Sequence, residues 1–177
     1  MALIVDLSSL RQSAGRELAV TLESDHLDGL AEGLSLADSV HVDAALTSGE
    51  RLVKLHARVQ ATIETVCDRC LTPLSYPLDF ECDEVLVSAH DAEVLVDHGA
   101  DREELETENW IYDDAHLDLN YLVLDAIMMQ LPIRHLCRPD CKGLCPHCGA
   151  NLNDGPCDCE NTEMDPRWAA LAQLKDE

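Results

Sequence analysis

Eight of the nine cysteines in this chain come in four close pairs: Cys67/Cys70, Cys137/Cys141, Cys145/Cys148 and Cys157/Cys159. No other feature restricts the possible folds so strongly. Two residues between cysteines let the backbone turn so that both sulfurs reach one metal ion at about 2.3 Å. Four pairs supply eight thiolates, enough for two tetrahedral zinc sites. The odd total argues against a fully paired disulfide scaffold, and closely spaced thiols in a reducing compartment point to metal first. Cys82 stands apart, within a strand-like stretch, and is expected to be a small buried hydrophobe.

The spacing also limits how the pairs combine. "CPHCG" is the strongest knuckle, with Pro146 shaping the turn and Gly149 free to take a positive φ. The stretch "GANLNDGP" between Cys148 and Cys157 is long enough for one turn, which favours a local site from Cys145, Cys148, Cys157 and Cys159. Cys67 and Cys70 would then share a long-range site with Cys137 and Cys141. A compact site from Cys137, Cys141, Cys145 and Cys148 is the open alternative. All-cysteine sites are closed and structural, whereas catalytic zinc keeps an open position beside histidine or carboxylate ligands. No catalytic residue is therefore expected, and His135 and His147 are expected to be exposed polar residues. "CDRC" lacks the βαβ setting of a thiol oxidoreductase.

Charge narrows the function classes. The formal net charge is −23, and an acidic surface repels phosphate backbones, which argues against a conventional electrostatic nucleic-acid binder. Fourteen Asp and Glu fall within residues 81–118, against Arg102 alone. Arg69, Arg134, Arg138 and Lys142 lie beside cysteines, where they either offset thiolate charge or form a local phosphate-contacting patch.

Hydrophobic periodicity places the cysteines. "LIVDLSSL", "RELAVTLE" and "VHVDAAL" suggest short strands, and "RLVKLHARVQATIETV" (51–66) alternates with period two over an unusual length. "LSYPLDFECDEVLVSA" (74–89) is its return partner, so Cys67 and Cys70 sit at the tip of a β-hairpin. In "DLNYLVLDAIMMQLP" the period changes to that of a helix, with Asp118 as N-cap, Pro132 as stop, and Met128 and Met129 as core filler. A short amphipathic helix is expected from Asp165, with Pro166 at its first position. Residues 88–114 are expected to form a solvated acidic loop. The fold class is α+β: long antiparallel hairpins with a packed helix in residues 1–133, then a small cysteine-rich zinc module in residues 134–177. No apolar run is long enough to span a membrane, and the start "MALIVDLSSLRQ" does not read as a signal peptide. A cytoplasmic location is expected.

"VCDRCLTP" after a long strand, "LPIRHLC" and "CKGLCPHCGANLN" after a helix, and the terminal "DPRWAALAQLK" together resemble the YceD family over roughly residues 40–177. The resemblance implies a non-enzymatic role in accumulation of large-subunit ribosomal RNA and assembly of that subunit. It also implies that Cys67, Cys70, Cys137 and Cys141 belong to the broader family pattern, with Cys145, Cys148, Cys157 and Cys159 a cysteine-rich variant of it. Since the chain is acidic, the expected partner is a basic ribosomal protein or assembly factor, with ribosomal RNA engaged indirectly. The competing readings are an interaction adaptor unrelated to ribosomes and a thiol or zinc enzyme.

Overall fold

The computed structural model describes residues 3–8, 10, 15–112 and 116–159, apart from the side chains of 106–108. The expected helix from Asp165 lies outside them. The fold is α+β, with a mixed, mostly antiparallel six-stranded sheet as its largest element.

Two strands dominate that sheet, β5 (Leu52–Val66) and β6 (Pro73–Ser88), paired without a break from Leu52↔Val87 to Val66↔Pro73. The alternation that marked β5 is a burial pattern. Val53, Leu55, Ala57, Val59, Ala61 and Ile63 point into the core, and Leu52 faces out. On the other side of β5 lies β4 (Val40–Ser48), which buries Val40, Val42, Ala44 and Leu46, and beyond it β2 (Glu17–Ser24). The β4–β5 pairing starts at His41↔Gln60, and beyond it the two-residue β3 (Ser35–Leu36) lies beside the end of β5, opposite Ile63 and Glu64.

A second layer covers the inner face. β1 (Ile4–Asp6) pairs with β8 (His116–Asp118), and Leu3, Val5, Leu7 and Leu10 join the sheet's core together with Leu122, Val123, Leu124 and Ile127 of α3 (Asn120–Gln130). Each such side chain, fully buried, contributes about 1.5–3 kcal/mol. α3 begins one residue later than the sequence suggested. Leu119 is the N-cap, and the Asp118 carboxylate accepts the Asn120 N–H at 2.9 Å, so Asp118 still satisfies an orphan donor. Met129 is not core filler: it is 83% exposed, and Met128 also reaches solvent. Cys82 is only partly buried: it pairs with Ala57 of β5 and packs against the core, and β7 reaches β6 only at Leu86–Ser88.

The expected acidic loop is corrected by the structure. Residues 88–114 contain α1 (Ala89–Asp97), α2 (Arg102–Glu108) and β7 (Trp110–Tyr112), which runs parallel to β6 from Leu86↔Trp110 to Ser88↔Tyr112. Caps explain the helices. The Ser88 hydroxyl accepts the Asp91 N–H, and the Asp101 carboxylate accepts the N–H groups of Glu103 and Glu104. Acidic residues in both first turns complement the helix dipoles.

The outer face of the sheet carries a charge ladder. Arg58 on β5 grips Asp79 on β6 through two 2.7 Å hydrogen bonds, and Gln60 adds a third at 3.1 Å. Arg58, then Gln60, hold the Asp79 carboxyl down at about 2. Because its folded pKa lies below the ordinary carboxylate value, Asp79 stabilises the fold above that value, and the contribution fades as pH falls towards 2. Carbon-detected NMR titration is expected to place Asp79 near pH 2, and to move it up towards the ordinary value in Arg58→Gln, where Gln60 remains. An unchanged titration in the variant would show that the guanidinium is not the cause.

Candidate metal centres

The hairpin tip and the tract after α3 meet at the far end of the long ladder. Their contact is clasped by backbone: the Asp68 N–H donates to the His135 carbonyl at 2.7 Å, and the Asp68 carboxylate accepts the His135 N–H at 2.8 Å. His135 is thus half-buried, not exposed, and its ring lies against Tyr76. His147 is exposed as expected.

Both CxxC turns have the same backbone form. The Cys67 N–H donates to Thr72 O and the Leu71 N–H to Cys67 O; the Cys145 N–H donates to Ala150 O and the Gly149 N–H to Cys145 O. The residue after the second cysteine is left-handed in each, with φ 73° at Gly149 and 59° at Leu71. Gly149 fits the expectation. Leu71 does not, since a leucine there costs about 1 kcal/mol relative to glycine, and its side chain lies 60% exposed.

The four pairs fall into two tetrads. Cys67, Cys70, Cys137 and Cys141 bring their sulfurs within 4.8 Å of one another, and so do Cys145, Cys148, Cys157 and Cys159. Of the two partitions that the spacing allowed, the structure shows the one with a local and a long-range site. Cys67 and Cys141 sulfurs stand 3.8 Å apart, and those of Cys70 and Cys137 3.5 Å. A disulfide requires about 2.05 Å. Sulfurs placed tetrahedrally at 2.3 Å from one zinc stand about 3.8 Å apart. The residues present therefore fit a metal ion.

The electrostatics of each tetrad are divided. Burial pushes the Cys67 thiol up, but N–H groups of Cys137, Arg69 and Cys70 outweigh it and bring it to about 6. Cys145 is held at about 6 by the N–H groups of Cys148 and His147. Burial and the neighbouring thiols push Cys137 up to about 12, and Cys148 and its neighbours do the same to Cys159. Four crowded sulfurs cannot all carry charge unaided; a divalent cation at their centre would remove that conflict.

The surroundings tie the tetrads together. Arg69 donates to the Cys141 carbonyl at 2.7 Å, and Arg138 donates to the Asn153 side chain at 2.6 Å. Two of the four basic residues flanking cysteines are thus spent on internal contacts. Gly143, at φ 76°, packs so that a Cβ there would stand 3.1 Å from the Arg69 carbonyl oxygen. The return stretch pairs back through a Leu144↔Asn151 bridge and the Leu152 N–H to Gly143 O. Neither Gly143 nor Asn153 was anticipated; "NLND" between the last two pairs is an Asx-turn signal that would have drawn attention to the latter.

A mostly antiparallel α+β framework, with one cysteine tetrad joining the hairpin tip to the tract after α3 and a second within that tract, defines a cysteine-knuckle protein. The family model described as large ribosomal RNA subunit accumulation protein YceD matches residues 55–175, and the chain belongs to the YceD family. It is 30% identical to an uncharacterized protein of Mycobacterium tuberculosis over 170 residues, 96% of this chain and 67% of the relative. It is 28% identical to the chloroplastic large ribosomal RNA subunit accumulation protein YCED homolog 1 of Arabidopsis thaliana, over 99% of this chain and 58% of that protein. A 48-residue stretch is 40% identical to the protein of the same name in Zea mays, covering 27% of this chain and 16% of that protein. No solved structure matches the chain significantly.

Proposed function

We propose that this protein is a non-enzymatic accessory factor in accumulation of large-subunit ribosomal RNA, acting through a basic ribosomal protein or assembly factor. Family membership supports the ribosomal assignment. The concentration of acid in one ordered segment is the observation that carries the mode of action. Glu93, Asp97, Asp101, Glu103 and Glu104 are exposed along α1 and α2, and Glu81 and Asp83 extend the charge onto β6. Such a surface repels RNA and attracts a basic protein, with an association rate and affinity that fall as salt screens the charges.

In this reading each tetrad holds one structural zinc ion. The donor set supports it: four thiolates leave no open position for substrate, and zinc supplies folding free energy to an end with little apolar mass of its own. A reducing, cytoplasmic setting keeps the thiols available.

The test is retention of ribosomal proteins from cell extract on the immobilised protein at increasing salt. Basic large-subunit proteins are expected to dominate and to be released at least tenfold between 50 and 300 mM salt, as a contact between opposite charges requires. The double variant Glu103→Lys/Glu104→Lys is expected to retain several-fold less at low salt. Salt-independent retention, or binding of naked RNA alone, overturns the proposal.

A further inference from the structure

Asn153 lies in the loop between Cys148 and Cys157, yet its side chain belongs to the other tetrad. Its Nδ2 donates to the Cys141 sulfur at 3.3 Å and to Asn151 Oδ1 at 2.8 Å. Its Oδ1 accepts from the Lys142 N–H at 2.9 Å and from Arg138 at 2.6 Å. Both amide hydrogens and both lone pairs are engaged, which sets the amide's orientation and aims an N–H at the sulfur. The backbone is held as well, since the Asn153 N–H donates to Asn151 Oδ1 at 3.0 Å.

The position of this amide depends on the loop that carries it. That loop is closed at its ends by Cys145 and Cys148 on one side and Cys157 and Cys159 on the other. Its other restraints among the described residues are the bridge at Leu144↔Asn151, a few turn hydrogen bonds and the Asn153 contacts just described. Closing both ends of the loop on one ion narrows where Asn153 can stand, and Asn153 in turn places a hydrogen bond on a sulfur of the Cys67 tetrad. N–H donors to thiolate sulfur favour the ionised form and hold the ligand in the direction the metal needs, and loss of such outer partners typically weakens a metal site 10- to 100-fold.

We propose that Asn153 is a positioning residue coupling the two centres, so that filling the Cys145 centre tightens metal binding at the Cys67 centre. The inference rests on the metal reading above. By linkage the effect is reciprocal: an ion at the Cys67 centre tightens the Cys145 centre by the same factor. The acidic isostere at this position would keep the acceptor for Lys142 and Arg138 but turn an oxygen towards the sulfur.

The experiment is a double-mutant cycle on the full chain, read as the zinc dissociation constant of the Cys67 centre by chelator competition. Asn153→Asp is expected to weaken that centre about tenfold or more, and Cys157→Ser/Cys159→Ser to weaken it by a similar factor. The triple variant is expected to be no weaker than the worse of the two, because both changes remove one contact. Cadmium-113 NMR of the fully loaded protein supplies a readout independent of affinity. Asn153→Asp is expected to move the resonance of the Cys67 centre and leave that of the Cys145 centre in place. Two ions that bind with strictly additive effects, or a Cys67 resonance that does not move, overturn the coupling alone. A protein that binds no metal overturns the coupling and the metal reading together.

Discussion

Purified protein is expected to carry two equivalents of zinc, and Cys67→Ser one. Chelation of both ions is expected to release the tract of residues 134–159 from the hairpin tip while the sheet stays folded. The reason is the way the apolar mass is divided. The main cluster runs from Leu3 through the sheet to Ile127 without including the paired thiols, whereas Cys67, Cys70 and Cys141 form a separate cluster with Leu74, Leu136 and Leu144 against it. Six small or partly exposed groups cannot offset the conformational entropy of ordering some twenty-five residues, and structural zinc contributes folding free energy outright to modules of this kind. Hydrogen exchange is the check: amides at Asp68, Cys145 and Gly149 are expected to lose protection by several orders of magnitude in the apo protein, and those of β4 and β5 to keep theirs. Zinc-free material with a fully protected tract would refute this. The Cys145 tetrad, in which Cys145 alone is buried where three of the four thiols in the other tetrad are, is expected to surrender its ion first.

Asn120→Ala is expected to destabilise the whole domain by about 2–4 kcal/mol, the second-largest effect. Asn120 is buried at the start of α3, and its side chain clasps a single residue ninety-two positions away: Oδ1 accepts the Asp28 N–H and Nδ2 donates to the Asp28 carbonyl, both at 3.0 Å. Truncation removes the partner of both Asp28 backbone groups and leaves a gap at the buried start of α3. The loop cannot simply shift to find others, because Gly29 packs at a positive φ, where an added Cβ would lie 2.9 Å from Leu124. Denaturant unfolding is the measurement, and a loss under about 0.5 kcal/mol would mean that water replaces the amide.

Those residues also show where sequence reasoning reached and where it stopped. The β5–β6 hairpin was legible because its period of two is written in neighbouring residues, and the tip followed from the turn at Cys67 and Cys70. The close spacing of Cys145, Cys148, Cys157 and Cys159 likewise made one tetrad a local matter. Residues 88–114 were misjudged because their net charge outweighed two quieter signals. Ser88 with Asp91, and Asp101 with Glu104, each place a capping residue three positions ahead of an acid. Asn120 and Asn153 had no sequence signal of comparable force. Their partners, Asp28 and Cys141, become neighbours only after the chain has folded, and an asparagine facing solvent is spelled the same way.

The length of the ladder has a further consequence. Fifteen residue steps separate Pro73, beside the thiol knuckles, from Ser88, where the acidic helices begin. At the rise of an extended strand that is about 50 Å. A compact domain of a hundred residues is only about 30 Å across. A body of that size seated at one end would leave the other untouched, so the hairpin is a strut that keeps whatever meets its two extremities apart.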